Sequence, residues 1–259
     1  MTRPVGEQLR QWRERRRVSQ LELSLLAGVS ARHLSFIETG RSRPSSEMIL
    51  RIAEGLDVPL RERNALLLAG GFAPAYPEHA LDSPPLSAVT AAMRQVLDGH
   101  EPYPAMAVDR HWELVDSNTA ASIFLDGAAA SLVEPPVNIL RLALHPDGLA
   151  ARLVNLGEVR ARLLSGLRSQ AEATRDPALS DLYDELRGYP CGQPVPEVRQ
   201  PAAGEILMPL RIRHGAHELA LISTTTVFGR PLDITVAELA IESFYPADEA
   251  TAKALRTLG

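Results

Sequence analysis

Between Ser19 and Ile37 the apolar positions recur three and four residues apart, and one small-residue break divides them. Leu23 and Ala27 share one face of a first segment, and Leu34 and Ile37 share one face of a second. Ser19 and Glu22 make an S-x-x-E capping box ahead of the first segment, Gly28 ends it, and Ser30 caps the next. Ser24 is small where two steeply crossing helices must touch. The pattern predicts two short helices, a tight turn and a basic loop through Arg41, Arg43 and Pro44, the layout of a helix-turn-helix. A small helical bundle without that role is the alternative.

Beyond residue 71 the pattern changes twice. Gly70-Gly71 close the helical head, and Phe72 to Pro85, rich in Pro, Ala and small polar residues, reads as a linker. An amphipathic helix is expected over Leu86–Asp98, facing either the core or a partner. Short strands are expected at Pro104–Val108 and Trp112–Asp116 around a turn at Asp109-Arg110-His111, with Ser117 or Asn118 capping a helix through Leu125. Helical periodicity returns over Val137–Leu144, Leu149–Gln170 and Pro177–Arg187. Period-two alternation then covers Ile206–Arg213, Glu218–Thr226 and a last strand near Asp233–Ile241. The expected fold class is α+β: an all-α five-helix head over 1–71, a linker over 72–85, and over 86–259 an antiparallel sheet wrapped by helices that enclose a pocket.

The head resembles the helix-turn-helix domain of the lambda-repressor/Cro-like (XRE) family across residues 6–69. Ser19-Gln20, Leu23, Gly28-Val29-Ser30, Ile37-Glu38, Gly40-Arg41-Ser42, Pro44 and Leu56-x-Val58 carry the likeness. The resemblance implies that Gln20 contacts DNA phosphate and that base contacts come from Ala31, Arg32 and Phe36. Arg32 suits the O6 and N7 acceptors of guanine, and Ala31 and Phe36 suit a thymine methyl. Phe36 replaces a polar residue common there, so packing beneath the helix is an equal alternative. Ser30, His33 and Ser35 complete the exposed face, and Arg41 and Arg43 are expected phosphate clamps. Arg13 and Glu38 correspond to a buried ion pair in the family. The Arg13–Arg17 run is either a solvated helix end or a further phosphate contact.

Charge is divided along the chain. Residues 1–63 hold twelve Arg against eight Asp or Glu, a net +4; the whole chain is −5, so the remainder is −9. A basic head on an acidic body fits a protein that meets phosphate at one end. Lys253 is the chain's one lysine, so every cation of the head is Arg, whose fork matches phosphate and guanine edges.

The strand–turn–strand–helix opening of the body is how PAS domains begin. The order of its parts resembles the ligand-binding domain of MmyB-like regulators over roughly residues 86–256. Asp109-Arg110-x-Trp112, Asn118, Asn138-Ile139-Leu140-Arg141 and Thr224-Thr225-Thr226-Val227-Phe228-Gly229 carry that likeness. It implies a PAS-like fold binding a small apolar or acyl, fatty-acid-like ligand. Arg141 is the candidate anchor for a carboxylate, with Asn118 and Asn138 beside it; pinning of a loop by Arg141 is the competing reading.

Other chemistry is sparse. Cys191 is the lone cysteine, which excludes an intrachain disulfide and fits a reducing cytoplasm. His214 and His217 flank a turn without further ligands, so neither metal nor cofactor is expected. The sequence carries no G-x-S-x-G, H-E-x-x-H or phosphate-cradling glycine loop, and an enzyme is not expected. No leader or membrane-length apolar run is seen, so a cytoplasmic protein, on the nucleoid when bound, is expected. The composite expectation is a regulator that binds double-stranded operator DNA as a homodimer and senses a ligand in its body. A body that serves only dimerisation or partner binding is the alternative.

Overall fold

The computed structural model describes residues 3–194 and 209–258. Helices α1 (Val5–Arg15), α2 (Gln20–Leu26), α3 (Ala31–Glu38), α4 (Ser46–Gly55) and α5 (Leu60–Ala69) come first. Helix α6 (Ser87–Asp98) leads into strands β1 (Ala105–Val108) and β2 (Leu114–Ser117). Four helices follow: α7 (Ala130–Val133), α8 (Ile139–Leu144), α9 (Leu156–Thr174) and α10 (Pro177–Arg187). The chain ends with β3 (Leu210–His214), β4 (His217–Val227), α11 (Ile234–Ala237), β5 (Ala240–Pro246) and α12 (Glu249–Leu258). Two compact units result: the chain up to Ser83 with Arg230–Ala237, and Pro84–Gly229 with the chain from Glu238.

In the first unit the serines at 19, 30 and 45 each accept the N–H three residues on, at 3.1, 3.1 and 3.2 Å, and so start α2, α3 and α4. Gly28 takes φ +61° in the turn, where the Val29 N–H reaches the Ser24 carbonyl at 2.9 Å. Leu9, Trp12, Leu23, Leu34, Ile37, Ile49 and Ile52 form the buried core. Helix α1 crosses α3 at Gly6, where a Cβ would lie 2.0 Å from the Ile37 carbonyl oxygen. Residues 72–83 group with this unit. Phe72 packs on the core, and the Asn64 side chain bonds the Ala75 and Tyr76 N–H groups and the Tyr76 carbonyl.

The second unit is built on one antiparallel sheet of order β2-β1-β5-β4-β3. Every β1 residue is buried because the sheet is covered on both faces. Ala105, Ala107 and Ile241 meet Met93 and Leu97 of α6, which settles that helix as core-facing on this side. Met106 and Val108 face a second cluster with Phe124, Leu149 and Leu221, and α8, α9 and α10 add a helical layer through Leu140, Leu167 and Leu182. The segment expected as a last strand from Asp233 is instead the short helix α11. Asp233 accepts the Thr235 N–H and so turns the chain, and β5 begins only at Ala240. The expected helix over 149–170 is split into a 3-10 turn at Leu149–Arg152 and α9, and the 118–125 helix is a 3-10 turn over Thr119–Phe124. Residues 206–208 of the expected third strand lie outside the described residues.

Gly6→Ala tests the α1–α3 crossing. The methyl meets backbone that cannot rotate away, so a loss of about 1–3 kcal/mol is expected in urea unfolding of the full chain. An unchanged midpoint would refute the close approach.

Candidate nucleic-acid interface and ligand cavity

The exposed face of α3 is prepared by what lies beneath it. The Glu38 side chain is 1% exposed and holds Arg13 bidentately, with Nε to Oε1 at 2.7 Å and Nη2 to Oε2 at 2.9 Å. This pairing raises the Arg13 pKa above its ordinary value, and Arg13 Nη1 also donates to the Val18 carbonyl at 3.1 Å. Gln20 Nε2 adds a third bond to the same carboxylate at 2.8 Å. In this structure Gln20 is therefore part of the lock between α1, α2 and α3.

At its C-terminus α3 ends in a Schellman turn. The Gly40 N–H bonds the Ile37 carbonyl at 3.0 Å, the Arg41 N–H bonds the Phe36 carbonyl at 2.8 Å, and Gly40 takes φ +73°. The turn brings Arg41 back over α3. Phe36, half-buried, carries the Arg32 guanidinium 5.4 Å and the Arg41 guanidinium 5.9 Å from its ring centroid. The ring thus lies beside two cations. Among the described residues Arg32, Arg41 and Arg43 have no carboxylate partner, whereas Arg10, Arg13 and Arg51 do. Ser30 is spent on the cap, Ala31, His33 and Ser35 are partly exposed, and the Ser35 carbonyl accepts the Thr39 hydroxyl.

In the second unit a cavity of about 110 Å³ opens between the sheet and the helices, walled mainly by Met106, Trp112, Phe124, Leu149, Leu163 and Phe244. Phe124 and Phe244 stack tilted at 4.7 Å. Trp112 is held at φ +66°, a left-handed backbone costing about 1–2 kcal/mol. Three bonds maintain it: Nε1 to Gln170 at 2.8 Å, its N–H to the Asp109 carbonyl, and its carbonyl from the Ile139 N–H. Asp109 meanwhile caps the His111 and Glu113 N–H groups.

The three expected ligand residues are placed elsewhere. Asn118, 3% exposed, accepts from Ala105 and Ala121 N–H and donates to the Leu97 and Tyr103 carbonyls, which fills its capacity. Asn138 caps α8 through Leu140 and Arg141 N–H and donates to the His111 carbonyl. Arg141 forms a two-pronged pair with Glu185 at 2.8 Å on each prong. None of the three is among the residues that line the cavity.

The polar wall comes from Arg162, Ser223 and Glu242. Arg162 Nη2 donates to Ser223 Oγ at 2.6 Å, and the Thr225 hydroxyl donates to Glu242 Oε1 at 2.7 Å. Burial pushes the Glu242 carboxyl above its usual range, against the pull of the Thr225 bond and of Arg162. A signal existed: Glu242 lies between Ala240 and Phe244 on one strand face, and Ser223 follows Leu219 and Leu221 on another. Placing the last strand too early hid it. Elsewhere, His214 and His217 face each other across the β3–β4 turn, and among the described residues no three His, Cys, Asp or Glu are grouped to hold a metal. No helix among them is long and apolar enough to cross a membrane.

A capped helix-turn-helix unit and an α+β unit with an apolar cavity stand on one chain. The chain belongs to the MmyB-like transcription regulators: residues 89–258 match the family model of their ligand-binding domain, and residues 9–63 match a helix-turn-helix model. It is 36% identical over 76 residues to the uncharacterized HTH-type transcriptional regulator RghRB of Bacillus subtilis, a match covering 29% of this chain and 52% of that protein. The chain thus spans about half the length of that relative. Among solved structures, the clp gene regulator ClgR of Corynebacterium glutamicum is 26% identical over 38% of this chain and 90% of its own, with a TM-score of 0.23. An RNA-binding light-oxygen-voltage receptor is 14% identical over 100% of this chain and 64% of its own, at 0.31. Both TM-scores are low, and the family assignment rests on the sequence models alone.

Two outcomes follow from this geometry. Arg13→Ala strands a buried carboxylate and is expected to cost about 3–5 kcal/mol in denaturant unfolding. Arg141 holds the Glu185 carboxyl below the usual carboxylate range. Its contribution is therefore full above about pH 4.3 and is lost as pH falls through the lower folded value. Because the pair is more than a third exposed, Arg141→Ala should cost no more than about 1 kcal/mol at neutral pH, with the difference vanishing in acid. A larger loss in a pH series of thermal melts would contradict this assignment.

Proposed function

We propose that the chain is a sequence-specific DNA-binding transcription regulator. It binds as a homodimer, with one α3 per half-site and half-sites about 34 Å apart, and a small apolar or acyl ligand in its body biases that binding. The observation that carries the DNA reading is the Arg32–Phe36–Arg41 stack. Two guanidiniums without carboxylate partners are held at the exposed face of a capped helix, beside Arg43. Arg32 takes the base-reading role toward guanine, Arg41 and Arg43 clamp phosphate, and Ala31, His33 and Ser35 line the same approach. Gln20 contributes by holding Glu38, with phosphate contact as a role of the bound state.

The cavity's aliphatic and aromatic lining supports the ligand reading. Its volume favours a second reading in which the body serves dimerisation or partner binding. About 110 Å³ is less than the roughly 150 Å³ that admits benzene, so a long acyl chain requires the wall to open. Native mass spectrometry of the chain purified without additives separates the two. A co-purified small molecule supports sensing, and an empty protein favours the dimerisation reading. Arg32→Ala is expected to weaken operator binding by about 1–3 kcal/mol while leaving non-specific binding nearly intact in salt-matched titrations. Equal loss on all DNA would remove Arg32 as a base reader.

A further inference from the structure

The cavity's polar end makes a selection that its apolar walls cannot. Glu242 is 8% exposed, and one of its oxygens takes the Thr225 hydroxyl. The other oxygen carries no partner among the described residues, although the side chain lines the cavity. Register fixes this placement: Glu242 stands opposite Met106 on β1 and Thr225 on β4, so all three share the cavity face. One step along the same face, Ser223 stands opposite Phe244. Ser223 receives Arg162 on its oxygen and keeps its hydroxyl hydrogen for an acceptor.

We propose that Arg162, Ser223 and Glu242 read the head group of the cavity's ligand and select an uncharged head that both donates and accepts hydrogen bonds, a primary amide or an alcohol on a short apolar tail. This rests on the sensing role proposed above. The selection follows from two opposite charges flanking one opening. An anionic head gains Arg162 but meets Glu242, and a cationic head meets the reverse. An amide gives its carbonyl to Arg162 or Ser223 and its N–H to Glu242, and an alcohol divides its oxygen and hydrogen in the same way.

The test uses the full chain carrying Trp12→Phe, which leaves Trp112, on the cavity wall, as its one tryptophan reporter. Butanamide, 1-butanol, butanoate and butylamine share a propyl tail and differ in head group. At pH 7.5 the amide and alcohol are expected to bind at least tenfold more tightly than either ion. Glu242→Gln is expected to recover about tenfold of the butanoate affinity and to weaken butylamine further. Arg162→Gln is expected to improve butylamine alone. Circular dichroism of each variant establishes that it is folded, and thermal-shift titration of the otherwise unaltered chain gives the same ranking without relying on Trp112. Butanoate binding as tightly as butanamide, or a ranking untouched by both substitutions, overturns the head-group assignment while leaving ligand sensing in place. No binding of any probe at millimolar concentration by either readout overturns the sensing role and this assignment with it.

Discussion

A carboxylate shut away from water determines how α3 is held. Glu38 could not be buried alone, because an isolated charge in a core costs several kcal/mol. Three donors from two other helices make its burial tolerable, and in meeting it they fix α3 against α1 and α2. Gly6 allows the same approach by having no side chain at the crossing. The exposed chemistry is downstream of this. Only with α3 held does the Gly40 turn return Arg41 to Phe36, and only then are two guanidiniums paired on one ring. A charge that binds nothing outside the protein thus sets the aim of those that do.

The second unit solves a different problem, that of surrounding an apolar space with irregular chain. Its turns and 3-10 segments expose backbone groups that neither helix nor sheet satisfies. Asn118 and Asn138 answer for them, each bridging chain that comes from separate directions. The left-handed Trp112 belongs to the same economy: its backbone strain is offset by Asp109, Gln170 and Ile139, and the indole forms part of the wall. Away from its Arg162–Ser223–Glu242 end the cavity is lined by apolar side chains, and these backbone groups are satisfied behind that lining.

This division explains what the sequence made legible. The head is written in local signals: serine caps, a glycine turn and helical spacing within a few residues of one another. Asn118 was legible as a cap, and it does cap the Thr119–Phe124 turn. Its long-range bonds to the Leu97 and Tyr103 carbonyls were not legible, because a cap that satisfies backbone and a side chain that meets ligand use the same residue types. Arg141 and Arg162 could not be told apart from sequence either. What distinguishes them is place: Arg162 lines the cavity, and Arg141, paired with Glu185 44 residues on, does not. The alternation of Ile, Val and Leu after Asp233 looked like a strand. Aspartate capping turned it into α11, and the true strand carried Glu242 past the expected end.

That short helix also separates order along the chain from order in space. Residues 230–237 lie between β4 and β5, yet they complete the first unit: the Asp233 carboxylate holds the His79 ring at 2.7 Å, the Ile234 N–H meets the Pro77 carbonyl, and the Thr235 hydroxyl meets the His79 carbonyl. A fragment that stops at Ser83 would carry all five helices of the head and still lack a piece of its own fold. Dissection at that point is not the removal of one bead from a string, and a head freed this way is a different molecule from the head the whole chain makes.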